Sequence, residues 1–132
     1  MGRDGRNKTV CAVGIDLVEI SEIEESIAQF GERYLRRVYT SRELGSPGRA
    51  ATSRELAGVF ALKEAALKTL APADEPIDWR WIEVRGGSDT PQIALSGVCA
   101  ELAAARGILR LAGTVAIDRR HATAVVLAER RL

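Results

Sequence analysis

Residues 55–71, ELAGVFALKEAALKTLA, decide how this chain reads. Thr52-Ser53-Arg54-Glu55 forms a capping box, in which a hydroxyl and a carboxylate three residues apart each satisfy a backbone N–H at a helix start. Pro72 ends the segment. Leu56, Phe60, Lys63, Leu67 and Leu70 fall along or beside one face, and Ala57, Ala61, Glu64 and Lys68 form the adjoining stripe. The pattern predicts a long central helix. Glu64 and Lys68 lie one turn apart. They read either as a solvated ion pair or as a carboxylate and an ammonium beside a phosphate-and-metal site. The small alanines leave room for another element or a ligand to approach Glu64.

The whole chain, 132 residues with 46% hydrophobic and 28% charged, suits one soluble domain with a real core. A formal net charge of +1 gives no global argument for nucleic acid or an anionic membrane as partner. No apolar run approaches the roughly 20 residues that span a bilayer. The opening MGRDGRNKT lacks the apolar core of a signal peptide, so a cytoplasmic protein is expected. Residues 1–9 read as a flexible lead and residues 10–132 as the domain. Cys11 and Cys99 have no metal-like spacing and read as two buried thiols.

Outward from the central helix, residues 10–16, VCAVGID, read as a buried strand that ends at Asp16. A carboxylate there is costly unless it is paired or bound to a metal, although a capping or turn aspartate is the commoner fate. Ser21-Glu22-Ile23-Glu24 has capping-box form and predicts a helix that Gly31 ends. A second helix, residues 32–39, carries Arg33, Arg36 and Arg37, either a solvated face or a docking patch for an acidic partner. Thr40-Ser41-Arg42-Glu43 is another capping box, and GSPGRAA (45–51) is a loop. RWIEVR (80–85) and residues 92–96 read as a hairpin around Gly86-Gly87-Ser88-Asp89. Residues 97–107 read as a helix, and residues 114–117 and 123–127 as two closing strands. The order β-α-α-α-β-β-α-β-β predicts an α+β single domain, a mainly antiparallel sheet packed on a long central helix.

The chemistry narrows by residue type. The chain has one histidine, His121, with no serine or cysteine that it obviously activates, and no glycine-rich phosphate loop. Asp16 and Glu64 remain, with Lys68 one turn beyond. Two carboxylates suit Mg²⁺, which takes few protein ligands and fills its shell with water and phosphate oxygens. Lysine would neutralise phosphate as a point charge.

Several segments together resemble the holo-acyl-carrier-protein synthases, the small phosphopantetheinyl transferases. Gly14-Ile15-Asp16-Leu17-Val18-Glu19-Ile20 looks like their N-terminal motif. Phe60-Ala61-Leu62-Lys63-Glu64-Ala65-Ala66-Leu67-Lys68 resembles the second, and Tyr39-Thr40-Ser41-Arg42-Glu43-Leu44 the segment between them. Ile82-Glu83-Val84, Pro91 and Leu95-Ser96-Gly97 resemble the central hairpin. The resemblance implies transfer of 4′-phosphopantetheine from coenzyme A (CoA) to a serine of an acyl carrier protein, in fatty acid or polyketide biosynthesis. It implies Asp16 and Glu64 as Mg²⁺ ligands and, with Lys68, as the catalytic group. It also implies Lys63, Lys68, Arg119 and His121 as cofactor-binding residues, Arg33, Arg36 and Arg37 as the carrier-docking patch, and a homotrimer.

Three positions depart from the family pattern. Val59 stands where an arginine precedes the phenylalanine of the second motif. In Val115-Ala116-Ile117-Asp118-Arg119-Arg120-His121, Ile117 or Asp118 stands for a phosphate-contacting histidine. Glu22 stands for an arginine of the first helix. The retained acids and Lys68 favour a transferase. The departures favour a relative that has lost transfer and binds a carrier protein, or one that runs a different reaction on the same scaffold.

Overall fold

The computed structural model describes residues 9–86 and 90–131. The expected lead lies outside the described residues except for Thr9, and the tip of the central hairpin, residues 87–89, lies outside them too. Strand β1 (Thr9–Glu19) is followed by helices α1 (Ile20–Phe30), α2 (Glu32–Val38) and α3 (Ser41–Leu44). A two-residue ribbon, β2 (Gly45–Ser46) with β3 (Arg49–Ala50), leads to the long helix α4 (Ser53–Leu70). A 3₁₀ turn (Trp79–Trp81), the β4 (Ile82–Arg85) and β5 (Gln92–Leu95) hairpin, α5 (Gly97–Ala105), β6 (Ile108–Ile117) and β7 (His121–Arg131) complete the order. The sheet runs β1-β7-β6-β5-β4 and every pairing is antiparallel. The expected α+β architecture is the observed one.

Local chemistry accounts for most element starts. Thr52 and Glu55 form the capping box of α4, and Thr40 and Glu43 that of α3, as the sequence predicts. The first helix differs. Its start is Ile20, and the Glu22 carboxylate accepts from the Glu19 N–H at 3.2 Å. The Ser21 box is therefore not used, because β1 runs on through Asp16 to Glu19 and hands over directly to the helix. Gly31 carries φ +55° between α1 and α2, a left-handed turn that favours glycine. The Arg106 guanidinium donates to the carbonyls of Leu70 and Ala71, satisfying the end of α4.

Alternation along β1 and β7 gives the sheet two faces. Val18, Ala122, Ala124, Val126 and Ala128 are buried under α4, which contributes Leu56, Ala57, Ala61, Leu62, Ala65, Ala66 and Leu70. The contact is close. A Cβ added to Gly14 would stand 1.9 Å from the carbonyl oxygen of Ala65. The opposite face of β1 carries Cys11, Val13, Ile15 and Leu17, all exposed. Cys11 is thus not a buried thiol, while Cys99 is, and both are free.

Candidate functional site

β1 and α4 bring the two acids together. Asp16 points to the face of the sheet that α4 covers, opposite Ala124 of β7. The close seat of Ala65 on Gly14 sets Glu64 and Lys68 over the same stretch of strand. The Lys68 ammonium donates to the carbonyl of Ile15 at 2.7 Å and to Asp16 Oδ1 at 3.1 Å. Lys68 therefore pairs across to the strand and not along its own helix with Glu64. Asp16 Oδ2 is buried and has no hydrogen-bond partner. Burial raises the pKa of Glu64, the neighbouring Asp16 carboxylate raises it further, and Lys68 opposes both.

The acids line a cavity of about 250 Å³ with Glu22, Ser26, Tyr34 and Phe60. Tyr34 and Glu22 were not among the expected site residues. The signal for them was available only as helical phase, because α1 and α2 must first be laid across α4. The Tyr39 hydroxyl donates to the Leu56 carbonyl at 3.2 Å, so at 2.9 Å Tyr34 is the donor to Tyr39. This chain fixes the Tyr34 ring at the cavity wall.

Tyr34 also lines a second surface depression with Phe30, Arg33 and Arg37. Two arginines one turn apart thus stand on the other side of the tyrosine from the acids. Arg36 is exposed too, with its guanidinium on Glu32 at 2.8 Å.

Lys63 is corrected by the structure. Its ammonium is fully buried, paired with Glu43 at 2.8 Å, and donates to the carbonyls of Trp79 at 2.9 Å and Ile82 at 2.7 Å. Three acceptors use the three donors of an ammonium, so none remains for a phosphate. Arg119 and His121 do not line the acid cavity. Arg119 borders an open pocket with Arg54, Arg120, Glu19 and Glu24. His121 sits across from Glu19, its Nε2 at 3.9 Å from the carboxylate, with Nδ1 3.7 Å from Asp118.

Of the positions that depart in the resemblance, Glu22, Val59 and Ile117 line cavities, whereas Asp118, the alternative to Ile117, lines neither of the two. Glu22 lines the acid cavity. Val59 and Ile117 line one further cavity of about 250 Å³, between α4 and strands β4 and β6, with Gly58, Leu62 and Val115. Arg42, Glu43, Glu55 and Arg85 also border it, so only its β6 wall is wholly apolar.

Among the described residues no three His, Cys, Asp or Glu side chains form a metal cluster. The acid pair alone fits a hard cation that keeps water or phosphate oxygens in its shell. Asp16 Oδ2 is the observation behind that fit, a buried carboxylate oxygen still lacking a partner.

The ACPS profile of the 4′-phosphopantetheinyl transferase superfamily matches residues 12–125. The chain belongs to this superfamily. A holo-[acyl-carrier-protein] synthase of Paramagnetospirillum magneticum is 38% identical over 128 residues, covering 91% of this chain and 96% of the relative. One from Halothermothrix orenii is 34% identical over 119 residues, covering 89% and 95%. Among solved structures, the Helicobacter pylori holo-[acyl-carrier-protein] synthase in complex with coenzyme A superposes with a TM-score of 0.75 at 29% identity, covering 89% of this chain and 99% of that one. The Chronobacterium ammoniagenes ACPS–CoA complex gives 0.79 at 29% identity, covering 93% and 98%. Membership of the transferase superfamily thus extends over nearly the whole domain, departures included.

Proposed function

We propose that this protein transfers the 4′-phosphopantetheine arm of coenzyme A to a serine hydroxyl of an apo acyl carrier protein, with Mg²⁺ at the acid pair. The observation that carries the reading is the meeting of Asp16 and Glu64 at one cavity, with the Lys68 ammonium on Asp16 and the Arg33–Arg37 surface sharing the Tyr34 wall. Asp16 and Glu64 would hold the ion, which supplies charge neutralisation on the pyrophosphate. Lys68 adds a cation for a phosphate oxygen, and Tyr34 and Phe60 shape the wall. In the reaction the serine oxygen forms a bond to the pantetheine phosphorus and the bridging P–O bond breaks. The serine proton and 3′,5′-ADP leave. Catalysis here is positioning and electrostatics, since phosphoryl transfer asks little covalent chemistry of the protein.

Arg33, Arg36 and Arg37 form the docking patch for an acidic carrier helix, supported by their exposure and by the shared Tyr34 wall. A homotrimer belongs to the same reading. Its support is the outward face of β1, where Val13, Ile15 and Leu17 are 55%, 57% and 60% exposed beside Leu127 of β7, an apolar strip that a neighbouring copy would cover. We place the reaction in the cytoplasm, in fatty acid or polyketide biosynthesis.

A second reading, carrier binding without transfer, is favoured by one observation. Val59, which stands for an arginine in the resemblance, and Ile117, which stands for the histidine when no gap is allowed, are apolar and line one cavity. One experiment separates the two. The protein is mixed with CoA, Mg²⁺ and a panel of apo carrier proteins, and each carrier is weighed by mass spectrometry. Addition of the phosphopantetheine arm to any carrier establishes transfer. Carriers that bind yet keep their mass establish the second reading.

A further inference from the structure

We propose that Lys68 is an internal counter-ion of the acid pair, displaced from Asp16 by a divalent cation and then free to take a phosphate of the substrate. Cation and phosphate-bearing substrate would then bind cooperatively, with Lys68 as the coupling element. The inference rests on the reading of Asp16 and Glu64 as the cation site.

Asp16 is fixed and nearly buried inside a strand, whereas Lys68 is half-exposed on a flexible four-carbon stem. Its ammonium holds Asp16 Oδ1 at 3.1 Å and the Ile15 carbonyl at 2.7 Å. Among the described residues, Lys68 is the only base in an ion pair with Asp16. The other Asp16 oxygen is buried without a partner. Lys68 thus occupies one of the two oxygens a cation would use, and Glu22 adds a further carboxylate to the cavity.

A dication on Asp16 and an ammonium on the same carboxylate repel at short range, and at this separation the repulsion is not screened away by salt. The mobile partner yields. Its stem reaches solvent, so the ammonium leaves Asp16 with little cost to the packing of α4. A phosphate bound beside the cation gives it a new acceptor. By linkage, whatever the substrate adds to cation affinity, the cation adds to substrate affinity.

The test measures Mn²⁺ binding by the loss of the free-ion electron paramagnetic resonance signal, with and without CoA. It uses the wild type, Lys68→Met and Lys68→Arg, each checked for an unchanged melting curve by circular dichroism. Without CoA, Lys68→Met binds Mn²⁺ about five- to tenfold more tightly than wild type, the scale expected for removing one partly exposed opposing charge. Lys68→Arg stays within about twofold of wild type, because it keeps a cation on Asp16. CoA tightens Mn²⁺ binding in the wild type and does so several-fold less in Lys68→Met. Equal Mn²⁺ affinity for wild type and Lys68→Met overturns the proposal and leaves the cation site standing. Absence of Mn²⁺ binding from both proteins overturns the cation site itself, and the proposal with it.

Discussion

Lys63 and Glu43 meet at 2.8 Å with both side chains fully buried, one residue away from the acid that faces the opposite cavity. Glu43 is already the capping residue of α3, accepting from the Thr40 N–H at 2.8 Å, and its other oxygen accepts from the Val84 N–H at 2.7 Å. One ion pair therefore ties α3, α4 and β4 together. Burial pulls the Lys63 pKa down, and the Glu43 charge pulls the other way. Breaking such a pair leaves an uncompensated charge in the core. Lys63→Met should cost about 3–5 kcal/mol. The double variant with Glu43→Gln should cost less than the sum of the two single changes by more than ~1 kcal/mol. Urea unfolding of the four proteins measures the cycle, and additive losses would contradict a coupled pair.

Gly14→Ala is the second prediction. The added methyl would meet a backbone carbonyl of α4, which cannot rotate away as a side chain can. The helix must lift from the sheet, and overpacking of this kind costs about 3 kcal/mol or more. Chemical denaturation reads the loss. Ala65→Gly in the same protein should restore none of it, because the obstruction is main chain.

These two contacts also explain what could be read from the chain alone. The Thr40 and Thr52 capping boxes were legible because each is complete within four residues. The acids were legible as types, but Asp16 was expected to close its strand, and a pair between Lys68 and Glu64 was one of two readings of the helix. Both assignments depend on the height at which α4 lies on β1, which the Gly14–Ala65 contact sets across 50 residues of chain. Lys63 was misassigned for a related reason. It is about 100° around the helix from Glu64, and only the packed core decides which of the two is enclosed. Cys11 could have been placed correctly, since it shares its parity with Val13 and Ile15 and is opposite in parity to Asp16.

The raised pKa of Glu64 predicts a pH dependence. A carboxyl whose folded pKa lies above its unfolded value favours the folded state most at low pH, and this contribution is lost as pH rises through the folded pKa. For the ion-free protein, Glu64→Gln should therefore be more stable than wild type near pH 7.5, by less than ~1 kcal/mol given partial exposure. The advantage should vanish toward pH 4. Thermal melts in a chelating buffer across that range test it. Transfer activity of the same variant should fall at least ~100-fold.

Val13→Glu addresses assembly. It places a charge on the outward apolar strip, opposite Leu127 of the partner strand, where no core contact is disturbed. Analytical ultracentrifugation should show trimer for the wild type and monomer for the variant, with the far-ultraviolet spectrum unchanged. A variant that sediments with the wild type would show that this strip is not the interface.

The arginine surface gives the last prediction. Arg33 and Arg37 are one turn apart on α2 and share a depression with Phe30 and Tyr34, so one acidic helix can engage both. Exposed charges at an interface act mainly on encounter and are screened by salt. Replacing both with glutamate should raise KM for the carrier about tenfold or more while kcat changes less than about twofold. The wild-type KM should climb with ionic strength and the variant's should not. KM for CoA should stay unchanged, since neither arginine lines the acid cavity. Steady-state kinetics at two salt concentrations decide it: a loss confined to kcat would place these arginines in the chemistry and not in docking.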